Sequence, residues 1–322
     1  MQKDDVDRGL ALLAGGTRNK TFKELTQLKE TIATESARGK LLRQWNKTAA
    51  LTGNIHHFPF GEFLERNSAP SLRMQLVSGN GSGAGVCSQV GGSPLLPKSF
   101  EWPHTSEGRP LEFLIQIHLE DLEELEEIAR QLPKTGILSF FYDTVDQPWG
   151  YDPDDSDAWR VYYFENAEEL VETEPPKSLV EPLDSLHISW TEELCYPDTA
   201  SEDSETLAED EVEEYETFLE DHYQGEPMHR LLGYPQFIQG DWRVECQLAS
   251  NGIYCGDDSP KLRREREIQY EKSKSWINLL QLDTDDELGF AWGDGGRIYF
   301  CIRKEDLAAA DFSRCWLVLQ CY

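Results

Sequence analysis

The chain has no long hydrophobic run. None of its apolar stretches reaches the roughly 20 residues that cross a bilayer as a helix, so no membrane anchor or membrane partner is expected. The start, Met1-Gln2-Lys3-Asp4-Asp5, is charged with no apolar segment behind it, so the expectation is no secretory leader and a cytoplasmic location. Basic residues are scarce, 30 against 60 acidic, for a net charge of −30. Phosphates would be repelled, which argues against a nucleic-acid partner. The seven cysteines are odd in number and scattered, with no Cys-x-x-Cys pair. That pattern excludes a zinc knuckle and reads as reduced thiols rather than a disulfide framework. The seven histidines fall at no metal-ligand spacing, and no cofactor is expected.

Catalytic motifs are missing too. Gly79-Asn80-Gly81-Ser82-Gly83-Ala84-Gly85 tempts a phosphate-loop reading. It fits neither Gly-x-Gly-x-x-Gly nor Gly-x-x-x-x-Gly-Lys, and no helix start follows it. Ser82 is not flanked as a nucleophile elbow, because positions 80 and 84 are Asn and Ala. The stretch reads as a flexible loop.

What is present can bury a sizeable core: 322 residues, 39% hydrophobic, with nine tryptophans. Residues 1–69 read as an N-terminal helical segment. Thr21-Phe22-Lys23-Glu24 has capping-box spacing, and Phe22, Leu25, Leu28 and Ile32 form one apolar stripe. From residue 70 onward the pattern turns to strands: 72–77, 111–119, 136–142 and 159–164, with a short acidic helix over 122–132. Residues 165–226 hold 22 acidic residues and one basic, which is −21 of the chain's −30. Within them Leu186–Trp190 predicts a strand, Glu211–Tyr223 a helix, and Ala200–Asp210 disorder. Strands at 277–282, 297–302 and 316–320 complete the chain.

The order of these pieces repeats. A Gly-x-Pro turn, an aliphatic-Gln-aliphatic strand, a Gly-led aromatic strand and a closing strand occur once around Gly92, Gln116 and Gly136, and again around Gly233, Gln281 and Gly296. The reading is an α+β fold of predominantly antiparallel or mixed β-sheets. Two divergent internal repeats, residues 70–165 and 228–322, form one domain over 70–322, joined by an acidic helical connection at 166–227.

The segments Gly91-Gly92-Ser93-Pro94-x-x-Pro97, Trp102-Pro103, Leu114-x-Gln116-Ile117 and Gly136-Ile137-Leu138-x-Phe140-Phe141 carry a resemblance, together with Leu232-Gly233-Tyr234-Pro235, Leu280-Gln281-Leu282-Asp283 and Trp292-Gly293-Asp294-x-Gly296. In that order the set resembles the YwqG-like family, a bacterial domain of unknown function. The resemblance implies the fold class and no established activity.

Two site readings follow from the residues. Gln116 and Gln281 hold equivalent places in apolar strands, where a buried amide must be satisfied. Either each ties neighbouring chain segments together, or the pair lines a small-molecule cleft between the halves with Trp102, Trp292 and Asp294 at its rim. Separately, Asp283, Asp285, Glu287 and Asp294 fall at positions 1, 3, 5 and 12 of a calcium-loop frame. The frame lacks glycine at position 6, where Leu288 stands, and a solvated acidic hairpin is the bland alternative. The leading functional expectation is a non-catalytic protein-binding module, in the manner of an immunity or inhibitor protein, whose acidic surface meets a basic protein partner. A small-molecule-binding domain or enzyme using the cleft is the rival.

Overall fold

A computed structural model describes residues 58–77, 88–122, 125, 131–179, 182–223 and 227–322. The predicted helices of residues 1–57 and the glycine loop at 79–85 lie outside them, as does most of the predicted 122–132 helix.

Ten strands form one mostly antiparallel sheet, nearly closed into a barrel, and five α-helices accompany it among the described residues. The strands are β1 (Ala69–Leu76), β2 (Gln89–Val90), β4 (Glu112–His118), β5 (Ile137–Tyr142), β6 (Trp159–Phe164), β8 (Leu186–Cys195), β9 (Arg230–Leu231), β10 (Trp276–Asp283), β11 (Arg297–Arg303) and β12 (Trp316–Gln320). Two short strands, β3 (Leu95–Pro97) and β7 (Leu170–Glu172), pair separately. The order across the large sheet is β12-β11-β10-β9-β1-β8-β2-β4-β5-β6. This order is a palindrome in connectivity. Two antiparallel meanders, β4-β5-β6 and β10-β11-β12, flank a central β1–β8 pair, each through a two-residue strand.

Three strands of the sheet are buried on both faces. β4, β5 and β12 have no exposed residue, in keeping with their mostly apolar sequences. One core holds side chains of both meanders. Phe140 of β5 meets Phe300 of β11 edge to face at 5.0 Å, and Trp159 of β6 meets Trp316 of β12 at 4.9 Å. The Trp159 indole also donates to Cys315 O at 3.1 Å and that of Trp316 to Gly150 O at 2.8 Å. The two edge strands are therefore brought together by tryptophans rather than by ladder bonds.

Matching hydrogen bonds recur in the two meanders. β4 bulges at Leu114 against β5, and β10 bulges at Leu279 against β11. The freed carbonyls accept from Gly91 N and Leu232 N. Both following residues, Gly92 and Gly233, sit at φ near +70° with the space for a Cβ occupied, by Ser185 in one case and by Cys195 and Ser71 in the other. Only glycine fits there.

The acidic stretch behaves differently from expectation. Its strand β8 lies at the centre of the sheet, pairing with β1 along eight residues and with β2. Ala200–Asp210, expected to be disordered, forms 3₁₀ turns at Glu202–Ser204 and Glu209–Glu211. Ser201 and Ser204 are buried there, and their side chains satisfy local backbone groups. Helix α2 (Val212–Tyr223) follows as predicted. Its inner face, Tyr215, Phe218, Leu219 and Tyr223, packs on α1 (Gly61–Asn67) through Phe60 and Phe63. Its outer face presents Glu213, Glu214, Glu216, Glu220 and Asp221 to solvent.

Two helices fill the long interval before β10. They are α3 (Arg243–Ala249) and α4 (Pro260–Ser273), the latter capped by the Ser259 side chain on Leu262 N with proline at its first position. α5 (Lys304–Ala308) follows β11. No helix among the described residues is long and apolar enough to cross a membrane.

Candidate functional site

Both repeated glutamines are buried and fully committed. Gln116 accepts from Leu95 N and donates to Leu95 O, each at 2.9 Å, and donates to Ser139 Oγ at 2.7 Å. Gln281 accepts from Gln236 N at 2.9 Å and donates to Met228 O at 2.6 Å. Leu95 and Gln236 each follow the proline of a Gly-x-Pro turn, so each amide pins the crossing chain to the sheet. Neither amide is open to a ligand, which corrects their assignment to a cleft.

The residues preceding each turn match as well. Gln89 donates to Ser93 O and Arg230 to Tyr234 O, four residues on in both cases. Ser88 Oγ accepts from His118 N, while His229 Nδ1 accepts from Asp283 N. Ser88 donates to Asp121. With Nδ1 as acceptor, His229 carries its proton on Nε2 and donates to Asp285 Oδ2 at 3.1 Å.

This network also answers the calcium reading. Asp283 accepts from Met228 N and faces Arg297 at 2.9 Å, and Asp285 accepts from His229 and Glu287 N. Asp294 and Glu287 are exposed. Among the described residues no group of three or more His, Cys, Asp or Glu side chains is arranged to hold a metal ion. The two aspartates that fit the frame best are ligands to the protein itself.

Of the proposed rim, Trp102 sits in a separate small cluster with Phe141, its indole donating to Leu111 O at 2.8 Å. Trp292 does wall a cleft. That cleft has a volume of about 280 Å³ and joins the start of β4 (Arg109, Glu112) and the turn after β5 (Asp143, Val145) to the β10–β11 hairpin (Ala291, Trp292). Trp292 is itself 2% exposed, and its indole donates to Asp283 O.

Sequence patterns gave no reason to single out Glu112 or Arg109, because acidic residues are everywhere in this chain. Glu112 opens an otherwise apolar strand and is buried at 6% exposure. Burial pushes its carboxyl up to about 7, against the lowering effect of the Leu183 N–H it accepts at 3.2 Å. Arg109 donates to Asp143 and Asp146, so this guanidinium is already neutralised. A buried carboxyl that titrates near neutrality in a cleft can bind a basic nitrogen or shuttle a proton. No thiol stands beside it to act as a nucleophile: the six described cysteines are unpaired and buried, and burial pushes up the thiols of Cys195, Cys246, Cys255, Cys301 and Cys315.

Fold and cleft together define an α+β protein with a main core shared by both meanders and a small cleft between them. The chain belongs to the family described as Domain of unknown function (DUF1963), whose model matches residues 88–321. No curated protein matches it.

Proposed function

We propose that this chain, a YwqG-like member of its family, is two divergent copies of one strand unit, and that the Glu112 cleft between them binds a small ligand bearing a basic nitrogen. The palindromic strand order and the paired glutamine, turn and bulge contacts support the duplication. They also redraw the units: β8 stands to the second copy as β1 stands to the first, so the copies run over about 69–164 and 186–320 and exchange their first strands.

The observation that carries the binding reading is Glu112, a buried carboxyl with a single backbone donor, in a cleft whose cation is already paired. At about 280 Å³ the cleft lies just under the roughly 300–1,000 Å³ of drug-sized pockets. A thermal-shift comparison of small amines, small acids and neutral polyols tests it. Amines raise Tm of the parent protein and fail to do so for Glu112→Gln; stabilisation by acids alone, or equal shifts in the variant, would reject the assignment.

A second reading is favoured by the outer face of α2, with five exposed carboxylates and an inner face fully engaged. There the protein is a non-catalytic module that captures a basic protein partner, as an immunity or inhibitor protein would. Partners recovered on the parent protein should elute at raised salt and be lost when those five positions are neutralised. Salt-insensitive capture counts against it.

A further inference from the structure

A second hollow, also about 280 Å³, lies at the start of β10. Part of its wall corresponds in position to that of the first cleft. Where the first uses Arg109 before β4 and Thr144 after β5, the second uses Lys274 before β10 and Lys304 after β11. Where the first takes Leu183 from the lead-in to β8, the second takes Ala69 and Pro70 from the start of β1. The hairpin of the opposite meander contributes to each, Trp292 in one and Gln131 in the other.

The chemistry is inverted. The second hollow is walled by Tyr234, Phe237, Trp242 and Trp276, with Arg243, Lys274 and Lys304 against the single carboxylate of Asp203. Arg243 is held by Asp203 and Asp241, and Lys274 by Glu271, while Lys304 stands exposed at the lip. Three cations around one hollow are a departure in a chain of net charge −30. Two wall residues carry buried polar atoms with no partner among the described residues: Trp242 Nε1 and Asn278 Oδ1, in side chains only 1% exposed. Buried donors are almost always satisfied, and a donor left open beside a cavity, as Trp242 Nε1 is, marks where an acceptor on a ligand supplies the missing bond.

We propose that this hollow is a second ligand site, taking a small aromatic anion whose ring lies among the tryptophans and whose acidic group accepts from Trp242 Nε1 near Lys304. Its correspondence to the first cleft rests on the duplication reading; the lining and the open polar atoms do not.

Benzoate is the probe, with benzyl alcohol as its uncharged counterpart, benzylamine as its cationic one and inorganic phosphate as an anion without a ring. Binding is followed by calorimetry and by the indole N–H resonances of the labelled protein. Benzoate should bind, the Trp242 resonance should move downfield, and Lys304→Glu should weaken binding roughly tenfold or more. The resonances of Trp102, Trp159, Trp292 and Trp316, whose indoles already have acceptors and lie outside the hollow, should hold still. So should Trp190, whose indole is also open but lies outside the hollow. Lys304 is exposed, so the variant is expected to fold. Equal binding of benzyl alcohol, equal binding of phosphate, an unmoved Trp242 resonance, or no binding at millimolar benzoate would overturn the proposal. Glu112→Gln leaves benzoate binding unchanged while removing the amine response, so the two sites fail or stand separately.

Discussion

Arg230 is the most deeply buried charged side chain among the described residues. It is fully buried, donates twice to Glu193 at 2.7 and 2.9 Å, and reaches Tyr234 O and Gln236. Arg73 approaches the same carboxylate at 3.4 Å. Burial alone would raise Glu193, but the two guanidinium groups hold it down at about 2. Removing one member leaves uncompensated buried charge, so Glu193→Gln should cost about 3–5 kcal/mol by chemical denaturation at pH 7. Glu193 has a folded pKa below its unfolded value near 4.5, so its contribution is present above that pH and is lost as pH falls toward 2. Glu112 has the opposite sign. Its folded pKa is above its unfolded value, so the protein binds the extra proton when folded and loses stability as pH rises from about 4.5 through about 7. Glu112→Gln keeps the acceptor for Leu183 N and should flatten that part of the stability profile, read as Tm at pH 5 against pH 8.

At the scale of elements, the strands were legible and the connections were not. β6 and β12 match their sequence expectations to the residue, because short runs rich in aromatic and aliphatic residues have few other uses. The glutamines were legible as a pair, and of their two readings the tie between chain segments is the one that holds. Gln281→Leu strands Gln236 N and Met228 O, each costing about 1–3 kcal/mol when buried and unpaired. A loss of about 2–6 kcal/mol on urea unfolding is expected for the two together, with a similar loss for Gln116→Leu. Helix α4 hid because its buried side is thin, Leu262 and Ser273 alone, so no apolar stripe announces it. Its Ser259-Pro260 start was nonetheless present in the sequence. The cleft carboxyl stayed hidden for a different reason: Glu112 is one of 60 acidic residues, and what marks it is burial with a backbone donor, Leu183 N, some seventy positions away.

At the scale of the whole molecule, charge and topology dominate. Self-repulsion at net −30 should make the protein more stable as salt rises, and Tm should climb between low-salt buffer and 0.15 M sodium chloride, where the Debye length is about 8 Å. A topological prediction accompanies it. β1 is completed by β9 and β8 by β2, so the long strand that opens each half pairs with the short strand of the other. A chain cut at Pro175–Lys177 should yield two fragments that are unfolded apart and regain one cooperative transition when mixed; independent folding of either would contradict the exchange. The same exchange matters during synthesis. β1 gains β8 on one edge from 112–126 positions downstream, but its other edge waits for β9, 157–159 positions downstream, which at about 5–20 residues per second is on the order of ten seconds or more. Throughout that interval the nascent amino-terminal half carries an open seam, and the ribosome will have delivered most of the polypeptide before the seam can be sewn.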